Sequence, residues 1–342
     1  MRMPLAQLLS FAPTQSLCLP TPILRRCIDV YNLNVYDSST QKWEWRAMLT
    51  RDQIDEYFER GFTMVEGALD GPMLNRARAI IDGIVAKARS VTRNDEIYDL
   101  EESHTPAAPR VRRIKEPVDR DPLFWELVRS DDVIGPVKQL IGQNLRLHGS
   151  KLNMKSAGYG APVEWHQDWA FYPHTNEDIL AIGVMLDDVT LENGPLQVMP
   201  GSHRGPVHDH QNDGFFVGAI DVAGSGLDVK KAVTLTGAAG SMTIHHVRTI
   251  HGSALNVSGQ PRRMLFYEIA AADAWPLATF LPNYRDFEQF LSERMITGTP
   301  TLEPRMVPVP IRMPGALRHS SESIYNLQLA SKRYFENFQE AR

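Results

Sequence analysis

Residues 145 to 271 form a series of short apolar runs separated by glycine, proline and asparagine. Turn sequences lie at Asn193-Gly194-Pro195 and at Pro200-Gly201-Ser202. The runs are Leu145 to Met154, Ile179 to Val189, Leu196 to Met199, Ser241 to Val247 and Met264 to Ile269. Many short strands punctuated in this way are typical of a sandwich or jelly roll rather than a parallel α/β sheet. We therefore predict a mainly β protein, a sandwich or a jelly roll, with flanking helices.

Helical signals precede these strands. Thr50 and Gln53 predict a capping box, and Gly61 lies where the helix would end. Asp70 and Pro72 predict the start of a second helix, which is amphipathic. Its apolar face would carry Leu74, Ala77, Ile81, Ile84 and Ala88. We expect both helices to cover one side of the sheet.

The composition excludes several classes of protein. A hydrophobic content of 43% with 23% charged residues is that of an ordinary globular chain, and a net charge of −5 gives no indication of nucleic-acid binding. The two cysteines, Cys18 and Cys27, are too few for a disulfide framework or a thiolate metal site. No apolar run is long enough to span a membrane. The expected partner is a small-molecule substrate, and the sequence leaves the oligomeric state open.

Residues 1–48 are predicted to be an N-terminal extension, and residues 49–342 a single domain with helical additions. The extension has no acidic residue before Asp29 and mixes arginine with proline, serine and threonine, which is loosely the composition of an organellar transit peptide. A poorly ordered terminus is the more common alternative. We expect a cytoplasmic protein, with organellar targeting by residues 1–48 as the alternative.

A histidine and an aspartate stand two positions apart in Trp165-His166-Gln167-Asp168. Residues at i and i+2 of a strand point to the same side, so His166 and Asp168 could face one cavity. The pair by itself has little specificity, because a chain with 11 histidines and 41 acidic residues produces it easily by chance.

His251 and Arg262, which follows eleven positions later, give the pair its significance. Two histidines and one carboxylate occupy one face of an octahedral metal and leave the opposite face open, which suits non-haem Fe(II). If the strand of Arg262 runs antiparallel beside that of His251, its planar guanidinium can hold a carboxylate by two parallel hydrogen bonds. The set therefore predicts a catalytic iron site that binds a chelating keto acid.

Other histidines have alternative interpretations. His208 and His210 are predicted to lie in a surface loop rather than to bind metal, and His203 to be a turn residue. His245 and His246 come just before His251 on what we predict to be the same strand. One of them could contact the metal site, although buried core histidines are more common.

The substrate site is predicted from Trp169 and Tyr172, which follow the His-x-Asp pair, and from Arg248. They would form a mouth that is partly aromatic and partly cationic, unless the aromatic residues simply pack in the core. Such a mouth favours a modest-sized organic substrate that bears a carboxylate, a phosphonate or a thioester-linked phosphate. A basic cluster at residues 110–115 could steer an anion, but a solvated strand face is more common.

The ordered combination of several motifs resembles the phytanoyl-CoA dioxygenase family over about residues 49–276. The motifs are Trp165-His166-Gln167-Asp168, Asn193-Gly194-Pro195-Leu196, Pro200-Gly201-Ser202-His203-Arg204-Gly205 and His251-Gly252-Ser253 with Asn256, Ser258, Arg262 and Arg263. The resemblance implies a double-stranded β-helix fold, which is a cupin-like jelly roll, and the use of Fe(II), 2-oxoglutarate and O2. It further implies hydroxylation of a small organic or acyl substrate at an unactivated carbon, with release of succinate and CO2.

The resemblance also implies roles for individual residues. The positions that match the iron ligands are His166, Asp168 and His251. Arg262 matches the residue that holds the distal carboxylate of 2-oxoglutarate, and Ser253 matches a hydroxyl that assists it. Asn153 resembles a position near the co-substrate in ectoine hydroxylase.

The chain departs from peroxisomal members of the family, because no peroxisomal signal is seen and the sequence ends in Glu340-Ala341-Arg342. The resemblance therefore indicates the chemistry but does not identify the substrate. Two alternatives to a hydroxylase stay open. One is a non-catalytic β-barrel binding protein of the same fold, and the other is a cupin-like enzyme that uses another divalent metal. Arg262 favours the keto-acid enzyme, since the other reactions need no carboxylate clamp.

Overall fold

The computed structural model describes residues 48–158, 160–277, 287–317 and 323–335. Apart from Met48, the predicted N-terminal extension lies outside the described residues, and the single domain over residues 49–342 stays a prediction. Within the described ranges, no helix combines the length and the apolar composition that crossing a membrane requires.

The described residues form seven α-helices and fourteen strands, joined by turns and short 3-10 helices. The helices are α1 (Arg51–Arg60), α2 (Gly71–Lys87), α3 (Leu123–Arg129), α4 (Asp131–Ile141), α5 (Val222–Ser225), α6 (Phe287–Glu293) and α7 (Ile324–Gln328). The strands are β1 (Phe62–Val65), β2 (Tyr98–Leu100), β3 (Val111–Lys115), β4 (Leu145–Lys155), β5 (Val163–His166), β6 (Ile179–Met185), β7 (Leu196–Val198), β8 (Gln211–Asn212), β9 (Phe215–Phe216), β10 (Val233–Leu235), β11 (Met242–His246), β12 (His251–Ser253), β13 (Arg262–Ala271) and β14 (Met295–Thr297).

The first helix begins and ends as its sequence predicts. The Thr50 side chain accepts from the backbone of Gln53, and the Gln53 side chain accepts from the Thr50 backbone, which completes the capping box. Gly61 ends the helix with a φ of +86°, and an added Cβ would lie 2.5 Å from the ring of His203. Only glycine adopts this φ without strain and has no Cβ to clash with His203, so the packing of the fold determines where α1 ends.

The second helix confirms the predicted apolar face. Asp70 caps α2 by accepting from the backbone of Met73, and the helix buries Leu74, Ala77, Ile81 and Ile84. These side chains join the largest hydrophobic core, which also contains α3, α4 and the outward side of the large sheet. Burial of apolar surface on that side leaves the opposite side of the sheet free to form a cavity.

Two antiparallel sheets make up the β core. The large sheet has the order β1-β11-β6-β13-β4-β3-β2, with β14 paired to β4, and the smaller sheet has the order β10-β7-β12-β5. Strands that are distant in sequence lie side by side in both sheets, as a jelly roll requires. The predicted fold class, mainly β with flanking helices, is confirmed.

The paired residues of β4 and β13 point alternately to the hydrophobic core and to the cavity. Leu152 pairs with Leu265 on the core side, and Lys155 pairs with Arg262 on the other side. Along that second side the β4 residues 151, 153 and 155 alternate with core residues, because successive side chains of a strand point to opposite faces. Polar and charged side chains therefore line one face of an otherwise apolar pair of strands.

Two predicted strand placements are wrong. His245 lies on β11 of the large sheet and His251 on β12 of the smaller sheet, since the chain turns from one sheet to the other at residues 247–250. The strand of Arg262, β13, pairs with β4 and β6 and does not lie beside β12. Arg262 reaches the site from the facing sheet rather than from a neighbouring strand.

Candidate active site

Two histidines meet where β5 and β12 pair, because His251 lies directly opposite His166. β5 ends at His166, and Asp168 begins a 3-10 turn over residues 168–170. The prediction that His166 and Asp168 share one face of a continuous strand is therefore wrong in its geometry. The turn, rather than strand alternation, brings the carboxylate to the same cavity as the two rings.

The three side chains form a compact buried group. The Oδ1 atom of Asp168 lies 3.6 Å from Nε2 of His166 and 3.9 Å from Nε2 of His251. The ring centroids of the two histidines are 4.1 Å apart. One ligand atom from each of the three residues lies within 4.8 Å of the others, and all three residues are at least nine-tenths buried. The structure thus brings together the three residues that the sequence singled out.

Backbone carbonyls orient both rings. Nδ1 of His166 lies 2.7 Å from the carbonyl oxygen of Glu164, and Nδ1 of His251 lies 2.9 Å from that of Thr249. A carbonyl only accepts, so each Nδ1 carries the proton and each Nε2 presents its lone pair to the cavity. Burial also lowers the pKa of His251 well below its usual value, which keeps this ring neutral. Imidazoles held with Nε2 toward a common centre are what a metal ligand set requires.

Asp168 is ionised despite its burial. Desolvation favours the neutral acid, but the positive charge of Lys151 opposes it, and the pKa of Asp168 falls well below the usual value. A metal bonded at about 2.1 Å to ligands at right angles spaces them by roughly 3 Å. The two separations from Asp168 exceed this spacing by less than an ångström, and the two imidazoles have ligand atoms within 4.8 Å of each other, so the donor set fits an octahedral metal after an inward movement of the side chains.

A small cavity of about 40 Å³ adjoins the triad and is lined at one end by two buried cations, Lys155 and Arg262. Arg262 donates from Nη2 to the carbonyl of Gly194, and its Nε has no hydrogen-bond partner among the described residues. Burial lowers the pKa of Arg262 to about 10. Burial, and then Arg262, lower the pKa of Lys155 well below its usual value. Such a site favours an anionic ligand, which would offset the cost of burying two positive charges.

Two further predicted co-substrate residues line the same cavity. Ser253 contacts Lys155 rather than Arg262, since Nζ of Lys155 lies 2.9 Å from its Oγ. The Oδ1 atom of Asn153 accepts from Nε of Arg113 at 3.1 Å. Ser253 and Asn153 therefore each hold a cationic side chain of the cavity, Lys155 and Arg113 respectively.

An outer cavity of about 450 Å³ adjoins the first, and Arg113, Lys151 and Asp168 line both. Beyond Lys151, Glu116 and Glu268 flank Gly149, where an added Cβ would lie 2.8 Å from Oε2 of Glu268. The cavity-lining face of β3, β4 and β13 thus carries cations at the inner cavity and reaches two carboxylates at the outer cavity, of which Glu268 is paired with Lys151 at 2.7 Å.

The three predicted substrate residues lie in different environments. Tyr172 lines the outer cavity, and its pKa is raised by burial and by the charges of Asp168 and Glu268. Trp169 instead packs in a buried cluster and donates from Nε1 to the carbonyl of Pro310. Arg248 is 2.7 Å from Glu177 and lines neither cavity. The structure therefore contradicts the placement of Trp169 and Arg248 at the mouth.

The remaining histidines lie outside the ligand group. His210 is buried, contrary to its predicted place on the surface, and its Nε2 accepts from the backbone of Gln167 at 2.9 Å. Burial lowers the pKa of His210 to about 3, so it acts as a neutral acceptor behind the site. His203 lies in the predicted turn at residues 202–204, and His246 packs against it with a ring separation of 5.1 Å.

Several residues of the site were missed by sequence reasoning. Lys151 and Lys155 carried a signal, because two lysines four positions apart in a strand-like run share one face with Arg262 if the strands pair. Tyr325, on α7, closes the inner cavity, and the guanidinium of Arg113 lies 5.1 Å from its ring centroid. Nothing in the local sequence links Tyr325 to the metal-ligand residues, which lie at positions 166, 168 and 251.

The family model for phytanoyl-CoA dioxygenase matches residues 57–264, which is more than half of the chain. The chain belongs to the phytanoyl-CoA dioxygenase family.

Two relatives that are similar over most of their length extend this result. A probable alpha-ketoglutarate-dependent hypophosphite dioxygenase from Stutzerimonas stutzeri is 38% identical over 289 residues, which cover 83% of this chain and 99% of the relative. The L-proline trans-4-hydroxylase of Streptomyces griseoviridis is 33% identical over 229 residues, covering 61% and 82% of the two chains. The protein is an iron- and 2-oxoglutarate-dependent dioxygenase.

Solved structures share the fold. EctD from S. alaskensis, solved with bound Fe, has a TM-score of 0.58 and 22% identity, with 78% of this chain and 91% of that chain covered. The carbocyclase SnoK from nogalamycin biosynthesis has a TM-score of 0.56 and 24% identity, with coverage of 74% and 93%. These similarities support the jelly-roll architecture.

Proposed function

We propose that His166, Asp168 and His251 hold one Fe(II), and that Arg262 and Lys155 hold the distal carboxylate of 2-oxoglutarate. The observation that supports this assignment is a single cavity that presents three converging metal-ligand atoms and two buried cations. The enzyme would then hydroxylate a small organic molecule, bound in the outer cavity, at an unactivated carbon.

The residues of the chain position and protect the reacting groups. Iron and 2-oxoglutarate supply the oxidising chemistry when bound. The carbonyls of Glu164 and Thr249 hold the two imidazoles with Nε2 toward the metal. Lys151 keeps Asp168 ionised, as a ligand must be. Burial of all three ligands limits the access of water to the centre.

The distribution of charge in the outer cavity supports a substrate class. Among the residues that the structure describes, Nη1 and Nη2 of Arg113 have no hydrogen-bond partner, so this side chain could hold an oxyanion. Glu268, which is paired with Lys151, and Glu116, which accepts from Ser150, each have a second carboxylate oxygen that suits an ammonium group or another hydrogen-bond donor. Phe171 and Leu327 line the same cavity and suit apolar carbon atoms. We therefore propose a small organic substrate that carries both an oxyanion and a donor group.

Oxidation of hypophosphite is a second candidate function. It is favoured by the relative from Stutzerimonas stutzeri, which is similar over 99% of its own length. Arg113 and Lys151, where the two cavities meet, could hold an inorganic oxyanion. Glu268 is paired with Lys151 at 2.7 Å and Glu116 accepts from Oγ of Ser150 at 3.1 Å, so the two carboxylates do not exclude an inorganic substrate. The volume of the outer cavity, about 450 Å³, favours the larger organic substrate.

The cytoplasm is the compartment that we propose. Both cysteines, Cys18 and Cys27, lie in the predicted extension, so the part of the chain that carries the site can form no disulfide of its own, as is usual for proteins of a reducing compartment. Fe(II) also persists more readily in a reducing compartment.

Formation of succinate from 2-oxoglutarate by the purified protein with Fe(II) tests the proposal. The substrate panel should contain amino acids, aminophosphonates, simple carboxylates and hypophosphite. We expect one iron per chain, and succinate formation that is stimulated by a member with both charges. His251→Ala should abolish iron binding, whereas His208→Ala, in a partly exposed loop, should leave it intact. A full complement of iron in the His251→Ala protein would contradict the ligand assignment, and stimulation by hypophosphite alone would favour the second candidate.

A further inference from the structure

A fourth histidine, His245, lies beside the metal-ligand group. Its side chain is 1% exposed and lines the inner cavity. Its Nε2 lies 3.7 Å from Oδ2 of Asp168, and its ring centroid lies 4.5 Å from that of His251. Neither ring nitrogen of His245 has a hydrogen-bond partner among the residues described by the structure. Since a buried polar group without a partner is destabilising, this side chain requires an explanation.

The two oxygens of Asp168 face different neighbours. Oδ1 lies toward Nε2 of His166 and of His251, whereas Oδ2 lies toward His245. His245 is not part of the group whose ligand atoms lie within 4.8 Å of one another. Its position is therefore that of a neighbour of the aspartate ligand rather than of a fourth ligand.

Strand geometry places only one of two adjacent histidines at the site. His245 and His246 are neighbours on β11, so their side chains point to opposite faces. The ring of His246 lies 6.1 Å from that of Tyr57, and its Nδ1 accepts from the backbone of Arg248. His246 is therefore a natural control, because it has the same chemistry on the same strand but faces away from Asp168.

We propose that His245 is a positioning residue whose Nε2–H donates to Oδ2 of Asp168. The bond would keep Oδ1 toward the metal and prevent Oδ2 from binding it as well. The remaining gap exceeds the usual upper limit for such a bond by about 0.5 Å, which a small rotation of either side chain closes. Residues that hydrogen-bond a metal ligand orient it and strengthen metal binding.

This role matters because the proposed chemistry needs three open coordination positions. A chelating 2-oxoglutarate would take two of them, and O2 would require the third. An aspartate that binds through both oxygens would occupy one of these positions. The inference rests on the proposed function, since it assumes that Asp168 binds iron.

The test compares His245→Leu, which removes the donor, with His245→Gln, whose amide can donate from nearly the same place as Nε2. Fe(II) dissociation constants are measured by anaerobic titration, with the visible charge-transfer absorption of the complex with 2-oxoglutarate as a second readout. We expect His245→Leu to weaken Fe(II) binding by about 10- to 100-fold and to shift the absorption band. His245→Gln should restore most of the affinity. His246→Gln should leave the affinity unchanged, and the melting temperature of the metal-free protein reports on folding.

The possible outcomes distinguish a failure of the proposed iron site from a failure of the proposed role of His245. If the parent chain binds no iron, the proposed function itself is wrong and the role of His245 falls with it. If the parent binds iron and His245→Leu binds it equally tightly, only the role of His245 is overturned. Equal loss of affinity in the Leu and Gln variants would also overturn it, because the side chain would then act by its volume rather than as a donor.

Discussion

Nζ of Lys155 lies 2.9 Å from Oγ of Ser253, and Lys155 is paired in register with Arg262 across β4 and β13. The hydroxyl that the family resemblance assigned to the arginine thus contacts a lysine. Two cations from facing positions on adjacent strands occupy one end of the inner cavity. The affinity for 2-oxoglutarate should therefore depend on a group whose charge changes with pH.

We predict that the KM for 2-oxoglutarate rises with pH in the parent protein and does so much less in Lys155→Met. The pKa of Lys155 is lowered well below its usual value by burial, so the amine loses its proton as pH rises through this lowered value. A neutral amine no longer attracts the carboxylate. The slope should approach one decade per pH unit above the lowered pKa, as expected for uptake of one proton on binding.

The stability of the ligand-free protein should increase with pH, whereas the affinity for 2-oxoglutarate should decrease. The unfolded chain keeps the lysine proton up to about pH 10.4, whereas the folded chain releases it earlier. Between the two pKa values the unfolded state binds more protons, so the contribution of Lys155 makes the free energy of unfolding rise with pH. Chemical denaturation of the parent and of Lys155→Met across this range checks the sign. If the KM for 2-oxoglutarate depended on pH identically in the two proteins, Lys155 would not contact the co-substrate.

Arg262→Lys should raise the KM for 2-oxoglutarate by about 10- to 100-fold. It keeps the charge but loses the planar pair of donors, and charge-assisted hydrogen bonds contribute roughly 1.5–3 kcal/mol each. Arg263→Ala is the comparison, because Arg263 points to the other face and forms ion pairs with Asp187 and Asp82. That variant should lower the melting temperature and leave the KM unchanged. Equal increases in KM for the Arg262→Lys and Arg263→Ala proteins would contradict the assignment of Arg262 rather than Arg263 to the cavity face of β13.

Gly149→Ala should raise the KM for the substrate about fivefold or more and spare that for 2-oxoglutarate. The added methyl group would lie 2.8 Å from Oε2 of Glu268 and 3.4 Å from Oε1 of Glu116, so the acidic end of the outer cavity must shift. Overpacking of this kind costs about 1 kcal/mol or more. Steady-state kinetics with the best substrate of the panel measures both constants, and Gly259→Ala, which meets nothing within 4 Å, is the control. An unchanged substrate KM would place the substrate elsewhere.

Arg248→Ala should affect stability rather than substrate binding. The Arg248 guanidinium lies 2.7 Å from Glu177 and 2.5 Å from the carbonyl oxygen of Gly205, and the residue is 5% exposed. Its removal should lower the free energy of unfolding by about 1–3 kcal/mol. Denaturation and substrate kinetics are measured together, with Glu177→Gln as the matched variant. A selective increase in the substrate KM would restore the role in substrate binding that the sequence suggested.

The sequence by itself was sufficient to predict the fold class and to select the three residues that converge as a metal-ligand group. His166, Asp168 and His251 can be recognised because few side chains bind iron, and because their spacing and flanking motifs are restricted. The caps of α1 and α2 are equally local, since a capping side chain contacts a backbone group only three positions away. Such features depend on neighbours in the chain, which the sequence shows directly.

Only the tertiary structure decided which sheet presents each residue and which cations share a cavity. Asp168 reaches the site through a turn, Arg262 comes from the facing sheet, and Arg248 turns to Glu177. His245 faces Asp168 although its strand belongs to the other sheet. These placements depend on strand pairing between distant segments and on the packing of two sheets. A local sequence pattern cannot encode the pairing partner, because backbone hydrogen bonds between strands form regardless of which side chains they carry.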